Sequence, residues 1–276
     1  MITAMHFKRF IVFGWVLWLI GCAGWPVPQS DTADASAITI TPQLRSVLAP
    51  SGVLRVGVYF GSPSSLVRDS KTGQAAGVAH DLGLELGKRL GVPVQIVEFA
   101  RLQLVLDALK TGAVDFTFTN ATEVRARDVS FATPIIELEL GYLVPPTSKV
   151  IKIDDVSRAD IRIGVSEGSS SQLALGKVFG PSKLTTASSL KVAQTMLKEG
   201  KVDVFATNKA ILFELADELP GYKVLEGRWG VENLAIAIPK QREAGTAFVD
   251  RFGQDLKASG LLQNIIRRAG LRGTTQ

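Results

Sequence analysis

The sequence predicts an α/β fold of two similar lobes, each built on its own largely parallel sheet. Three observations carry this. The 276 residues are 46% hydrophobic and 21% charged, which describes a folded chain long enough for two domains of ordinary size. From Leu54 onward, short strand-like runs alternate with helix-like ones, the βαβα order of parallel sheets. Thirdly, two stretches recur in the same order. Residues 102–120 (LQLVLDALKTGAVDFTFTN) realign without gaps on 190–208 (LKVAQTMLKEGKVDVFATN), with eight identities in nineteen positions. Residues 54–66 (LRVGVYFGSPSSL) realign on 161–173 (IRIGVSEGSSSQL), with seven in thirteen. The offsets differ, 88 and 107, so the pattern is a duplicated lobe and not a short-period solenoid.

The elements follow in chain order. Residues 1–21 read as an export leader: Lys8 and Arg9 precede an apolar run, FIVFGWVLWLI, too short to span a bilayer comfortably. Leu19-Ile20-Gly21-Cys22 resembles the lipobox of bacterial lipoproteins, so Cys22, the single cysteine, is expected to be lipidated after cleavage. Residues 22–50 are expected to be the lipidated cysteine and a flexible tether, because 23–37 is rich in Pro, Ala, Ser, Thr and Asp without hydrophobic period. Loss of the leader takes two positive charges from a net +5, leaving about +3. Lys and Arg are dispersed, which argues against nucleic acid. One cysteine and two histidines exclude an intrachain disulfide and leave little for a zinc site, and no cofactor is implied.

Beyond the tether, 54–58 alternates with period two, 80–91 carries Leu82, Leu86 and Leu90 at helical spacing, and 94–99 is strand-like. Residues 102–110 predict a helix and 114–119 a strand, with a further helix over 172–179. In open parallel sheets a ligand lies beyond the carboxyl ends of the strands. Tyr59 and Ser64 fall in the Gly/Ser turn after the first strand, and Ser169 and Ser170 in its counterpart before the 172–179 helix. Such turns offer hydroxyls and free N–H groups to an anion. Asn120 and Asn208 end the equivalent strands and should face the same cleft.

At these residues the chain resembles the bacterial extracellular solute-binding proteins of family 3, the amino-acid-type periplasmic receptors of ABC importers. The marks are LRVGV at 54–58, GVAHDL at 77–82, LKTGAVD at 109–115, TEVRARDVSFATP at 122–134 and ASGLLQNII at 258–266. The resemblance implies a type II periplasmic-binding-protein fold. Lobe 1 would comprise 52–138 plus 235–271 and lobe 2 would comprise 142–230, with hinge crossovers at 139–141 and 231–234. It places the carboxylate-gripping arginine on Arg125, a hydrogen-bonding partner on Asn120 and a hydroxyl pair on Ser169 and Ser170. A guanidinium is suited to that role because it presents a bidentate fork to a carboxylate. Arg127 falls where the family has an ordinary surface base.

Three departures stand out. The acid that usually meets the solute's ammonium falls on Asn208, which carries no charge, and Glu137, Glu139 and Glu167 are the candidates to replace it. Leu102 takes the place of a stacking aromatic. The first turn keeps only Tyr59 and Phe60 of its aromatic character. The resemblance therefore implies an exported, lipid-anchored, monomeric receptor. It would bind an amino acid or another small carboxylate and deliver it to an inner-membrane ABC permease. A sensor without transport and a dehydratase-like enzyme on the same fold are the alternatives. An enzyme would need an acid or base in the cleft, and His80 starts a helix that the family places elsewhere.

Overall fold

The structure, a computed structural model, describes residues 39–69, 71–158 and 160–275. The leader and Cys22 lie outside the described residues. Helix α1 (Pro42–Leu48) opens on Thr41, whose Oγ1 accepts from the Leu44 N–H at 3.1 Å, and Pro42 supplies the preset φ of a first turn. Leu48 and Ala49 are buried in the first core. The tether expected over 22–50 therefore does not include this helix, because a capped turn that buries a leucine belongs to the packed body.

Strand β1 (Leu54–Tyr59) is followed by the short pair β2 (Val67–Arg68) and β3 (Ala75–Ala76), then helix α2 (Val78–Leu90). Strand β4 (Val94–Phe99) pairs parallel with β1, and α3 (Leu102–Lys110) covers both. Strand β5 (Thr117–Asn120) starts three residues later than the period predicts, because Phe116 makes only an isolated bridge to Val56. Then come α4 (Glu123–Ala126), β6 (Val129–Phe131) and the long β7 (Ile136–Val144).

The second half repeats the plan with β8 (Ile163–Ser166), α5 (Ser170–Phe179), β9 (Leu184–Ala187), α6 (Leu190–Lys198) and β10 (Val204–Asn208). Helix α7 (Lys209–Glu218) and β11 (Lys223–Val224) lead to the long β12 (Gly230–Pro239). Helices α8 (Thr246–Ala258) and α9 (Leu261–Arg268) return to pack on the first core. The duplication read in the sequence recurs as one ion-pair motif in two places. Arg55 donates through its backbone N, Nε and Nη2 to Asp115 at 2.7, 2.9 and 2.6 Å. Arg162 makes the same three bonds to Asp203 at 2.7, 2.9 and 2.8 Å. Each arginine thus ties a first strand to the loop that leads into the repeat's last strand.

The lobes do not have wholly separate sheets. One hydrogen-bonded path runs β5-β12-β7-β10-β8-β9, with β1 and β4 as a separate parallel pair. Strands β7 and β12 are long enough to pair with each other and with two further strands each, β10 and β11 for β7 and β5 and β6 for β12. Strand β7 pairs with β12 over 136–140 and with β10 over 140–143, while β12 pairs with β5 over 234–237. Their partners change at Leu140 and Leu234. The hydrophobic cores divide accordingly. Leu54, Leu82, Phe116, Ile236 and Phe252 share one. Tyr142, Ile163 and Val204 share a second, and Leu143, Phe205 and Leu212 a third. Burial pushes the Tyr142 hydroxyl up to about 12. The C-terminal tail continues past 271 along β7. The Gly273 carbonyl accepts from the Glu139 N–H at 2.8 Å, and Arg272 reaches Asp217 on α7 at 2.5 Å.

Candidate functional site

The strand ends of both halves converge on a cavity of about 50 Å³, which adjoins a wider cleft of about 1110 Å³. Of the residues singled out in the sequence, Tyr59, Ser64, Asn120, Ser169, Ser170 and Asn208 line the cavity. Arg125 lines the adjoining cleft together with Asn120, Ser169 and Ser170. The two halves meet across the cavity. A Cβ on Gly168 would lie 2.6 Å from Gln103 Oε1, and one on Gly61 would lie 3.1 Å from Leu190 Cδ1.

Arg125 is held by its own short helix. Thr122 caps α4 by accepting from the Arg125 N–H at 3.3 Å. Nη1 then donates to the Asn120 carbonyl at 3.0 Å and to Thr119 Oγ1 at 3.3 Å. Burial lowers the Arg125 pKa, and the nearby Glu232 and Tyr59 oppose that shift. Asn120 Oδ1 accepts from the Asn233 N–H at 3.0 Å, which orients the side chain against β12. Tyr59 ends β1. Its hydroxyl is pushed up chiefly by burial, and hydrogen bonds with Ser62 and Ser64 work against the shift. Ser64 is buried, with its hydroxyl 2.9 Å from that of Ser62.

On the other side, Ser169 is the N-cap of α5 and accepts from the Gln172 N–H at 3.1 Å. Ser170 begins the helix, so its hydroxyl and the open N–H groups of that turn face the cavity region. Asn208 caps α7, accepting from the Ile211 N–H at 3.1 Å.

The residue that sequence reasoning missed is Glu232. It lies on β12, is 7% exposed and lines the cavity. One carboxylate oxygen accepts from the Ser170 hydroxyl, and the other accepts from Asn208 Nδ2 at 3.1 Å. Asn208 therefore holds an acid in the cavity instead of being one. The candidate acids named from sequence separate clearly. Glu137 accepts from Thr275 at 2.7 Å, and Glu139 is paired with Lys209 at 2.5 Å. Neither lines the cavity; Glu167 does, at its rim, and faces Arg101 at 3.6 Å. A signal for Glu232 existed. Period-two alternation puts it on the face of Leu234 and Ile236, so it is an acid on the inward side of a strand.

Other residues fall outside the cavity. Arg127 is exposed, Phe60 is 54% exposed, and His80 Nδ1 pairs with Asp81 at 2.7 Å within α2. Leu102 does line the cavity, where it supplies an apolar wall. A cavity with a guanidinium, a carboxylate, hydroxyls and amides can bind a small dipolar molecule by charge-assisted hydrogen bonds on opposite ends.

A model of the bacterial extracellular solute-binding proteins, family 3, matches residues 54–270. A glutamine-binding protein of Geobacillus stearothermophilus is 24% identical over 217 residues, covering 77% of this chain and 82% of that protein. The ABC transporter glutamine-binding protein GlnH of Bacillus subtilis (strain 168) is 23% identical over 206 residues, with 73% and 75% covered. Among solved structures, an ancestral arginine-binding protein bound to glutamine superposes with a TM-score of 0.69 at 25% identity, covering 79% of this chain and 97% of that one.

Proposed function

Because the chain belongs to the bacterial extracellular solute-binding proteins, family 3, we propose that its cavity captures a zwitterionic α-amino acid for an ABC permease. The observation that carries the proposal is the pairing of Arg125 with Glu232 around one site. Glu232 is near enough to act on the Arg125 guanidinium, and both act on the Tyr59 hydroxyl. Arg125 and Asn120 would take the solute's carboxylate. Glu232, held by Ser170 and Asn208, would take its ammonium, so the missing acid at position 208 is replaced from the hinge strand. A buried ammonium without a counter-ion would cost several kcal/mol, and Glu232 removes that penalty.

The change of partners along β7 and β12 supports a hinge at 139–141 and 231–234, with lobes at 52–138 plus 235–271 and at 142–230. Ser169, Ser170 and Asn208 belong to lobe 2, and Tyr59, Ser64, Asn120 and Arg125 to lobe 1. Solute bound between them stabilises the shut form because only that form offers both sets of contacts. Lipidated Cys22 would anchor the receptor to a membrane; loss of membrane retention in Cys22→Ala tests this.

The experiment for the site is a thermal-shift screen over amino acids, their deaminated analogues and small anions. Amino acids should raise the melting temperature by mass action and the deaminated analogues should not. Equal stabilisation by both, or by simple anions alone, would overturn the zwitterion assignment.

A further inference from the structure

We infer that Arg101 reads the solute's side chain, favouring amino acids whose side chain ends in an oxygen acceptor, carboxamide or carboxylate, over cationic ones. This rests on the amino-acid reading of the cavity and adds a second recognition point to it. Arg101 lines the cavity but has no bond to Glu232 or Arg125 among the described residues. Its Nε is buried and has no hydrogen-bond partner among the described residues. Its ionic neighbour, Glu167, stands 3.6 Å away, beyond hydrogen-bond reach, and is 48% exposed.

The duplication sharpens the point. Arg101 precedes α3 just as Ser189 precedes α6, and both helix starts line the cavity. Ser189 Oγ accepts from the Val192 N–H at 3.2 Å and closes its helix. Arginine has no acceptor, so the first turn of α3 has no side-chain cap. What this end of the cavity presents is therefore donors: the guanidinium of Arg101, whose side chain is 29% exposed, and an uncapped helix start whose dipole is positive. Such a set is satisfied by an acceptor and repels an ammonium or guanidinium. Leu102 and Leu190 beside it supply apolar walls for a methylene stem. Glu167 cannot serve a cationic side chain without giving up Arg101.

The test is calorimetry of glutamine, glutamate, norleucine and lysine with the wild-type protein, Arg101→Met and Arg101→Lys. Apo melting temperatures will verify that each variant folds. The wild type should prefer glutamine or glutamate over norleucine by about tenfold or more, with lysine weakest. The order of glutamine and glutamate tells whether the acceptor is an amide or a carboxylate. Arg101→Met should erase the gap, and Arg101→Lys should keep part of it. A wild type that binds norleucine or lysine as tightly as glutamine and glutamate overturns the inference, as does a gap that survives in Arg101→Met. Failure of all four amino acids to bind the wild type removes the amino-acid reading itself, and with it this inference.

Discussion

Replacing Glu232 with glutamine tests the central feature of the site with little change of shape. A carboxylate has about four lone-pair positions. Ser170 and Asn208 use one on each oxygen, which leaves both oxygens able to accept from a bound ammonium. The amide removes the charge and keeps a single acceptor oxygen, so one to two charge-assisted bonds are lost. At about 1.5–3 kcal/mol each, the loss centres near 3 kcal/mol, roughly a hundredfold rise in Kd. The assay is calorimetric titration of an amino acid that binds the wild type, alongside its deaminated analogue, with apo melting temperatures as a check on folding. The amino acid should weaken about a hundredfold, and the analogue should stay unchanged or tighten, because it has no ammonium to satisfy Glu232. An unchanged amino-acid affinity in Glu232→Gln, or an equal loss for both compounds, would refute the reasoning.

Three further outcomes follow from the geometry. Arg125→Ala should weaken carboxylate solutes by about a hundredfold or more in calorimetry while the circular-dichroism spectrum stays native, because among the described residues its side-chain hydrogen bonds are confined to Thr119 and Asn120 beside it. Gly77→Ala should destabilise by about 3 kcal/mol or more in chemical denaturation. Its Cβ would lie 2.2 Å from the Ser65 carbonyl oxygen, and its φ of 151° is one that alanine rarely adopts. The melting temperature should also fall on acidification. Arg162 holds Asp203 below its ordinary 3.8, and Lys209 holds Glu139 below its ordinary 4.5. Both folded carboxyls bind protons less readily than the unfolded ones, so their stabilisation is complete above about pH 5 and lost as pH falls through the folded values. A melting temperature that rises below about pH 4 would contradict this assignment, and Asp203→Asn should remove part of the acid sensitivity.

Much of the cavity was legible in the sequence because its parts are local. Thr122 caps the turn that carries Arg125, Ser169 caps α5, and Asn120 and Asn208 end strands whose equivalence the duplication reveals. The helices over 102–110 and 80–91 follow from apolar spacing, since tertiary contacts reinforce what periodicity already favours. Residues 42–48 escaped because one short helix in a polar, proline-containing stretch has too few turns to show a period.

By itself the sequence determined the two-lobed α/β plan, and it named the cleft-facing turns and the arginine proposed for the site. Only tertiary structure decided where the opposite charge comes from and how the lobes join. Glu232 is more than a hundred residues from Arg125, and Ser170 and Asn208 meet it only once β8, β10 and β12 are assembled. The same holds for β7 and β12. Their lengths are local properties, but the choice of neighbour along each strand depends on which hydrophobic faces are left open after the cores pack. Charges and pairings between distant segments are set by three-dimensional packing, which leaves no fixed spacing in the chain to read.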